Sequence, residues 1–232
     1  MRMILEDGDL EEFVMSGESD IAVPIEFFVP VEGEARLTVY SAFSHVAKDF
    51  ISRFSGDPFS SEALGYLDSA LTQPMMEVGY RKDIRGEYRI LSYSSVGADI
   101  KPPVCELEIV KISSNEEFEK YYNDTTRDVE FDPDDPCDVC FAAIEHGNIV
   151  SYAAVNDFSE DDTVEINVET CPEARGRGLA TAVVSSLCHY LSGLGETVGY
   201  RCRISNAASV RVAEKVGLKM TGEGYSFVCY RG

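Results

Sequence analysis

Basic side chains are scarce: 20 lysines and arginines stand against 41 aspartates and glutamates, a formal net charge of −21. A surface of that sign repels phosphate backbones and anionic lipid headgroups, which sets nucleic-acid and membrane-surface functions aside. No run approaches the ~18–20 consecutive apolar residues of a membrane span. Nor do residues 1–12 carry a basic segment followed by an apolar stretch, the mark of a secretory signal. The seven cysteines are odd in number and follow no framework spacing, as expected of free thiols in a reducing compartment. These absences predict a cytoplasmic protein with neither membrane nor nucleic-acid partners.

Metal-ligand patterns are also missing. Cys137 and Cys140 form a lone CxxC with no second pair and no neighbouring histidine. Asp132, Asp134, Asp135 and Asp138 lack the spacing of a calcium loop and read as a solvated run. The three histidines are dispersed: His45 and His189 fall on predicted helices and His146 in a hairpin turn, all structural or exposed settings. No metal is expected.

What is present is an ordinary globular composition, 232 residues with 44% hydrophobic, enough for one large domain or two small ones. The charge is uneven. Residues 1–140 hold 30 acidic against 12 basic side chains, whereas residues 174–232 hold three against eight. Positive charge concentrated in the last quarter suits an anionic small molecule there; the plain alternative is a solvated helix face.

From Leu37 onward, the three-and-four spacing of Tyr40, Phe43, Ala47, Phe50, Ile51 and Phe54 predicts a helix ended by Gly56 and Pro58. A second helix is expected from a Ser60 or Ser61 cap to Pro74, then a strand over 87–95. The run through Lys101-Pro102-Pro103 reads as a linker, giving a mostly helical domain at 1–103 and a second domain at 104–232. In the second, a strand over 106–112 precedes a Ser114-capped helix to Tyr122 and an acidic connection. Strands over 139–145 and 149–155 flank a turn at His146-Gly147-Asn148, and a third covers 163–170. A helix over 178–191, a strand over 197–204, a helix over 206–216 and a closing hairpin over 218–230 complete a mixed α/β module.

Between the strand 163–170 and the helix at 178 lies Arg175-Gly176-Arg177-Gly178-Leu179-Ala180. Two glycines permit a tight turn that opens a helix whose first N–H groups have no intrahelical partner. With the positive helix end and two guanidinium groups, the turn is suited to a phosphate or pyrophosphate. The same residues also fit a plain strand-to-helix turn with two surface arginines.

This segment matches Arg/Gln-x-x-Gly-x-Gly/Ala, and so resembles the acetyl-CoA pyrophosphate loop of the GCN5-related N-acetyltransferase (GNAT) superfamily. Asn206 to Leu218 resembles the family's following helix, Asn-x-x-(Ala/Ser)-x-x-(aliphatic)-x-x-x-x-Gly-(Phe/Leu). The phrase Glu165 to Thr170 looks like a bacterial-type subgroup with an extra N-terminal domain. The resemblance covers about 104–232 and implies the α/β GNAT fold with a splayed central sheet. It implies an acetyl-CoA-dependent N-acetyltransferase acting on a small-molecule or protein amine, as a monomer or homodimer.

Carried over residue by residue, the resemblance places coenzyme A on Val168, Thr170 and Cys171 of the strand, on Arg175, Gly176, Arg177, Gly178, Leu179 and Ala180 of the loop, and on Asn206 and Ser209. The amine would attack the thioester directly, with no acyl-enzyme. A base is needed, since an amine of pKa near 10 is only ~0.1% neutral at pH 7. Two familiar groups are missing. The position of the thiolate-protonating Tyr is Ala213, and that of a frequent Glu base is Arg201. Other members of the family use a carboxylate of this strand as base, so the resemblance implies Glu165, with Glu169 second, both on one face of a regular strand. Ser209, Tyr200 and Tyr225 remain open as proton donors. The rival expectation is a catalytically silent module that senses acyl-CoA.

Overall fold

A computed structural model describes residues 2–7, 19–83, 88–121, 131, 135–158 and 163–232. In chain order the elements are β1 (Met3–Asp7), β2 (Ile21–Pro30), β3 (Ala35–Val39), α1 (Ser44–Phe54), α2 (Ser61–Glu77), β4 (Tyr80–Lys82), β5 (Arg89–Ser94) and β6 (Glu108–Ile112). There follow α3 (Asn115–Glu119), β7 (Cys140–Glu145), β8 (Asn148–Phe158), β9 (Val164–Thr170), α4 (Leu179–Leu194), β10 (Val198–Arg203), α5 (Ala207–Val216) and β11 (Lys219–Arg231). The chain forms two compact units: Met1–Leu91 with Arg203–Ser205 and Thr221–Gly232, and Ser92–Cys202 with Asn206–Met220.

The first unit is mixed rather than mostly helical. β3 pairs with β1 in parallel and with β2 antiparallel, β2 pairs with β11, and β4 adds to β11. Leu37, read as the start of a helix from its spacing, lies in β3; the helical stretch begins with a 3-10 turn at Ser41–Phe43. The β-branched and aromatic side chains of β2 and β3 pack better on a pleated surface than in a helix. Phe27 of β2 meets Phe50 of α1 at 5.4 Å between ring centroids, over a core that includes Leu67, Leu71 and Phe227.

Ser60 caps α2 as expected, accepting from the Ala63 N–H at 3.3 Å, a contact whose loss typically costs about 1 kcal/mol. Pro74 does not end the helix, which runs on to Glu77. Fully buried Met75 anchors that last turn in the core, offsetting the missing proline N–H. The closing hairpin is absent too: 219–231 is one strand. Gly222 is there for closeness rather than for a turn, because a Cβ would stand 2.3 Å from the Phe28 ring and 2.6 Å from the Val29 carbonyl oxygen.

In the second unit the strand order is β6-β7-β8-β9-β10, antiparallel up to β9 and parallel between β9 and β10. The β7–β8 hairpin turns at His146 and Gly147, both left-handed at φ 53° and 79°, with Glu145 opposite Asn148. α4 packs on β7, β8 and β9, and α5 packs on α4. A second cluster is built on Phe118, Phe131 and Tyr152. Ser114 caps α3, which ends at Glu119; Tyr122 and most of the acidic connection lie outside the described residues. The expected linker is packed into this unit, with Lys101 N–H donating to the Val216 carbonyl at 2.8 Å and the Ser185 hydroxyl donating to the Lys101 carbonyl.

Candidate functional site

The site grows from a gap in the sheet. β9 and β10 pair only at Val164 with Val198 and Glu165 with Gly199, while β8 stays paired with β9 as far as Thr170. Beyond Glu165 the two parallel strands part. Ser151 fixes the far end of β9, its hydroxyl bonding the Glu169 carbonyl at 3.0 Å and meeting the Thr170 hydroxyl at 2.8 Å. A 3-10 turn at Pro172–Ala174 then leads to Gly176 and Gly178, both at φ 81°. This left-handed conformation is nearly free only for glycine. Gly178 is the N-cap of α4 and brings no side chain to cap it. A Cβ on either glycine would meet nothing within 4 Å. The first amides of α4, which no helical carbonyl can reach, therefore open into space.

That space is a cleft of about 710 Å³. Among the sequence-predicted residues, Val168, Glu169, Thr170, Arg175, Gly176, Gly178, Leu179, Ala180, Asn206 and Ser209 line it. Sequence reasoning passed over Arg211 and Lys215, one turn apart on α5, which line it as well. Their signal was available: Ala208, Arg211, Val212 and Lys215 share the helix face beside Asn206. Arg175, Arg211 and Lys215 thus face the cleft with Glu169 as the carboxylate in its lining, a cationic wall on a strongly acidic chain. Asn206 also works structurally, its Oδ1 accepting from the Ser209 N–H at 3.2 Å to cap α5.

Three predicted residues lie elsewhere. Cys171 lines a smaller cavity of about 120 Å³ with Ser151 and Pro172. Arg177, expected beside Arg175 on the phosphate, is outside the cleft lining, its guanidinium held by Glu106 and Glu145. Glu165 is likewise outside that lining. Both of its carboxylate oxygens face the Arg201 Nε, at 2.9 and 2.7 Å, across the last paired register of β9 and β10. The Val168 N–H is bonded by Oδ1 of the neighbouring Asn167 at 2.9 Å.

The open proton-donor candidates separate by place. Tyr225 is buried in the core of the first unit, 5.5 Å from Phe27 between ring centroids. Tyr200, 2% exposed, stands behind Ser209 and shares a hydrogen bond with it. Burial pushes its phenol up to about 12, so it keeps its proton at neutral pH. Ala213 is fully buried, so that position faces the core.

Among the described residues no cluster of histidine, cysteine or carboxylate side chains is arranged to hold a metal, and no helix is long and apolar enough to cross a membrane. Burial pushes the Cys140 and Cys188 thiols up to about 12 and raises Cys137 and Cys202. Only Cys105 and Cys171 of the seven are not buried. Ellman's reagent should accordingly modify two thiols per native chain quickly and the other five only after denaturation, a count read directly from absorbance.

Known proteins share this fold. Residues 107–218 match the Acetyltransferase (GNAT) family. A GNAT-family protein from Novosphingobium aromaticivorans superposes with a TM-score of 0.50 at 20% identity, over 66% of this chain and 68% of that one. A GCN5-related N-acetyltransferase-like protein from Streptococcus suis gives a TM-score of 0.50 at 16% identity, over 74% and 68%. At such identities the likeness concerns the fold, and the fold is that of the GNAT proteins. No curated protein sequence matches the chain.

Proposed function

Taking the match of residues 107–218 to the GNAT acetyltransferases as premise, we propose that this protein is an acetyl-CoA-dependent N-acetyltransferase that acetylates a primary amine by direct attack. The observation that carries the reading is the glycine turn opening into a cationic cleft beside two parting strands. The residues present fit the cofactor: about 710 Å³ of space, a turn with open room at both glycines, and three cationic side chains for its phosphates. When bound, acetyl-CoA supplies the activated acetyl thioester.

The chain's own residues divide the remaining work. Amides of the first turn of α4 and the Arg175 guanidinium hold the diphosphate. The edge of β9 at Val168 and Thr170 holds the pantetheine arm where β10 has parted from it. Glu165 takes the ammonium proton on its carboxylate. The base position occupied by Arg201 is thus served from the adjacent strand, by a carboxylate already paired with Arg201. Glu169, lining the cleft near the glycine turn, is the second candidate. A backbone N–H of β9 faces the developing oxyanion. The Ser209 hydroxyl, backed by protonated Tyr200, passes a proton to the leaving sulfur. The thiol also leaves unaided at some rate, because its pKa is within ~1–2 units of neutral. The acceptor is a small-molecule or protein amine, and the region ahead of the GNAT module, through Leu91, forms most of the other compact unit.

Mixing the protein with acetyl-CoA and a panel of amines while following thiol release tests the activity. Turnover on any amine supports it, and tight binding without turnover on all of them makes the protein a sensor instead. The α5 cations give a finer test. Dephospho-CoA, which keeps the diphosphate and lacks the 3′-phosphate, should bind about five- to tenfold more weakly than CoA. Arg211→Gln with Lys215→Gln should erase that difference in calorimetry.

A further inference from the structure

Arg177 sits between two left-handed glycines, at the most freely jointed point of the cofactor turn. Its guanidinium does not hang free. Nε donates to Glu106 Oε1 at 3.0 Å and Nη2 to the same oxygen at 2.7 Å. On the other side Nη1 reaches Glu145 Oε2 at 3.0 Å and Nη2 reaches Glu145 Oε1 at 2.9 Å, a two-pronged pairing. All three guanidinium nitrogens are engaged, and the hydrogen bonds from Arg177 hold the Glu145 carboxyl below its ordinary range.

The two carboxylates stand on firm ground. Glu145 ends β7, against the tight turn at His146 and Gly147. Glu106 lies two residues before β6, whose Glu108 pairs with Ile144 of β7. Neither is near Arg177 in sequence, being 71 and 32 residues away.

We propose that Arg177 is a positioning residue: through Glu106 and Glu145 it pins the Gly176–Gly178 turn to the end of the β6–β7 pair, and it makes no contact with the cofactor. The claim that the pinned turn matters for coenzyme A rests on the function proposed above. A turn with two glycines loses much backbone entropy when it presents its amides in one arrangement. Charge-assisted, bidentate hydrogen bonds are the means best suited to meeting that loss before the ligand arrives. The reverse role, a guanidinium reserved for phosphate, would require both carboxylates to release it first.

The two roles predict opposite signs. Neutralising the carboxylates in Glu106→Gln with Glu145→Gln frees the guanidinium. For a phosphate ligand, affinity for CoA should then rise; for a positioning residue it should fall, by about tenfold given the loss of a charge-assisted pair and of preorganisation. Arg177→Gln should fall by the same factor, and combining all three substitutions should cost no more than Arg177→Gln alone. Calorimetry with CoA on the full chain reads these values, and thermal melting without ligand confirms that each variant is folded. Glu106→Gln, at the more exposed carboxylate, is the mild form should the double variant fail to fold.

Backbone nitrogen-15 order parameters over residues 175–179 in the ligand-free chain give a readout independent of cofactor. Lower order in Arg177→Gln and in Glu106→Gln supports the clamp. Unchanged order, tighter CoA binding in the carboxylate variants, or unchanged binding in Arg177→Gln overturns it. If the unaltered protein gives no heat with CoA, the proposed function falls, and the order parameters still decide whether the clamp exists.

Discussion

Gly178→Val is expected to weaken coenzyme A binding by at least about 100-fold, or roughly 2.7 kcal/mol. The residue holds φ at 81°, a region that costs a β-branched side chain about 1–2 kcal/mol. Folding should survive, because the new Cβ meets no protein atom within 4 Å. The space it enters belongs to the cleft, so the larger loss falls on the ligand. Titration calorimetry with CoA, paired with a thermal melt, separates the two effects. A variant that binds CoA as the unaltered protein does would remove the glycine turn from the site altogether.

Glu165→Gln should lower turnover by about 10²- to 10⁴-fold, the range for loss of a general base. CoA affinity should change little, since Glu165 is outside the cleft lining. Glu169→Gln should leave turnover within about threefold, because Glu165 is the assigned base. Steady-state rates at saturating acetyl-CoA, measured with any amine that turns over, settle the assignment. Full activity in Glu165→Gln, or a greater loss in Glu169→Gln, would move the base elsewhere.

What could be read from the sequence was local. The helices α4 and α5 follow from apolar spacing, and their ends from Gly178, Asn206 and Gly217, because those signals act within a turn or two of the chain. The cofactor turn was legible for the same reason, as consecutive residues between a strand and a helix. Contacts between distant segments were not. Nothing near Arg177 in sequence announces Glu106 or Glu145, so its side chain reads as a phosphate ligand until the β6–β7 end is brought beside it. The pairing of Glu165 with Arg201 likewise depends on the register of two strands 36 residues apart.

In the first unit the three-and-four spacing was carried too far back, into β3, where Leu37 alternates with Arg36 and Thr38. The hairpin expected over 218–230 is one strand, in which Gly222 runs flush against Phe28. Local composition does not distinguish a glycine needed for its backbone angles from one needed for its small size.

The glycine turn has an economic consequence for the proposed reaction. It grips the part of the donor that acetyl transfer leaves unaltered, so the spent carrier holds on with nearly the same grasp as the loaded one. Throughput is then governed by the ratio of the two carriers around the enzyme, and product inhibition is built into the way the site recognises its donor.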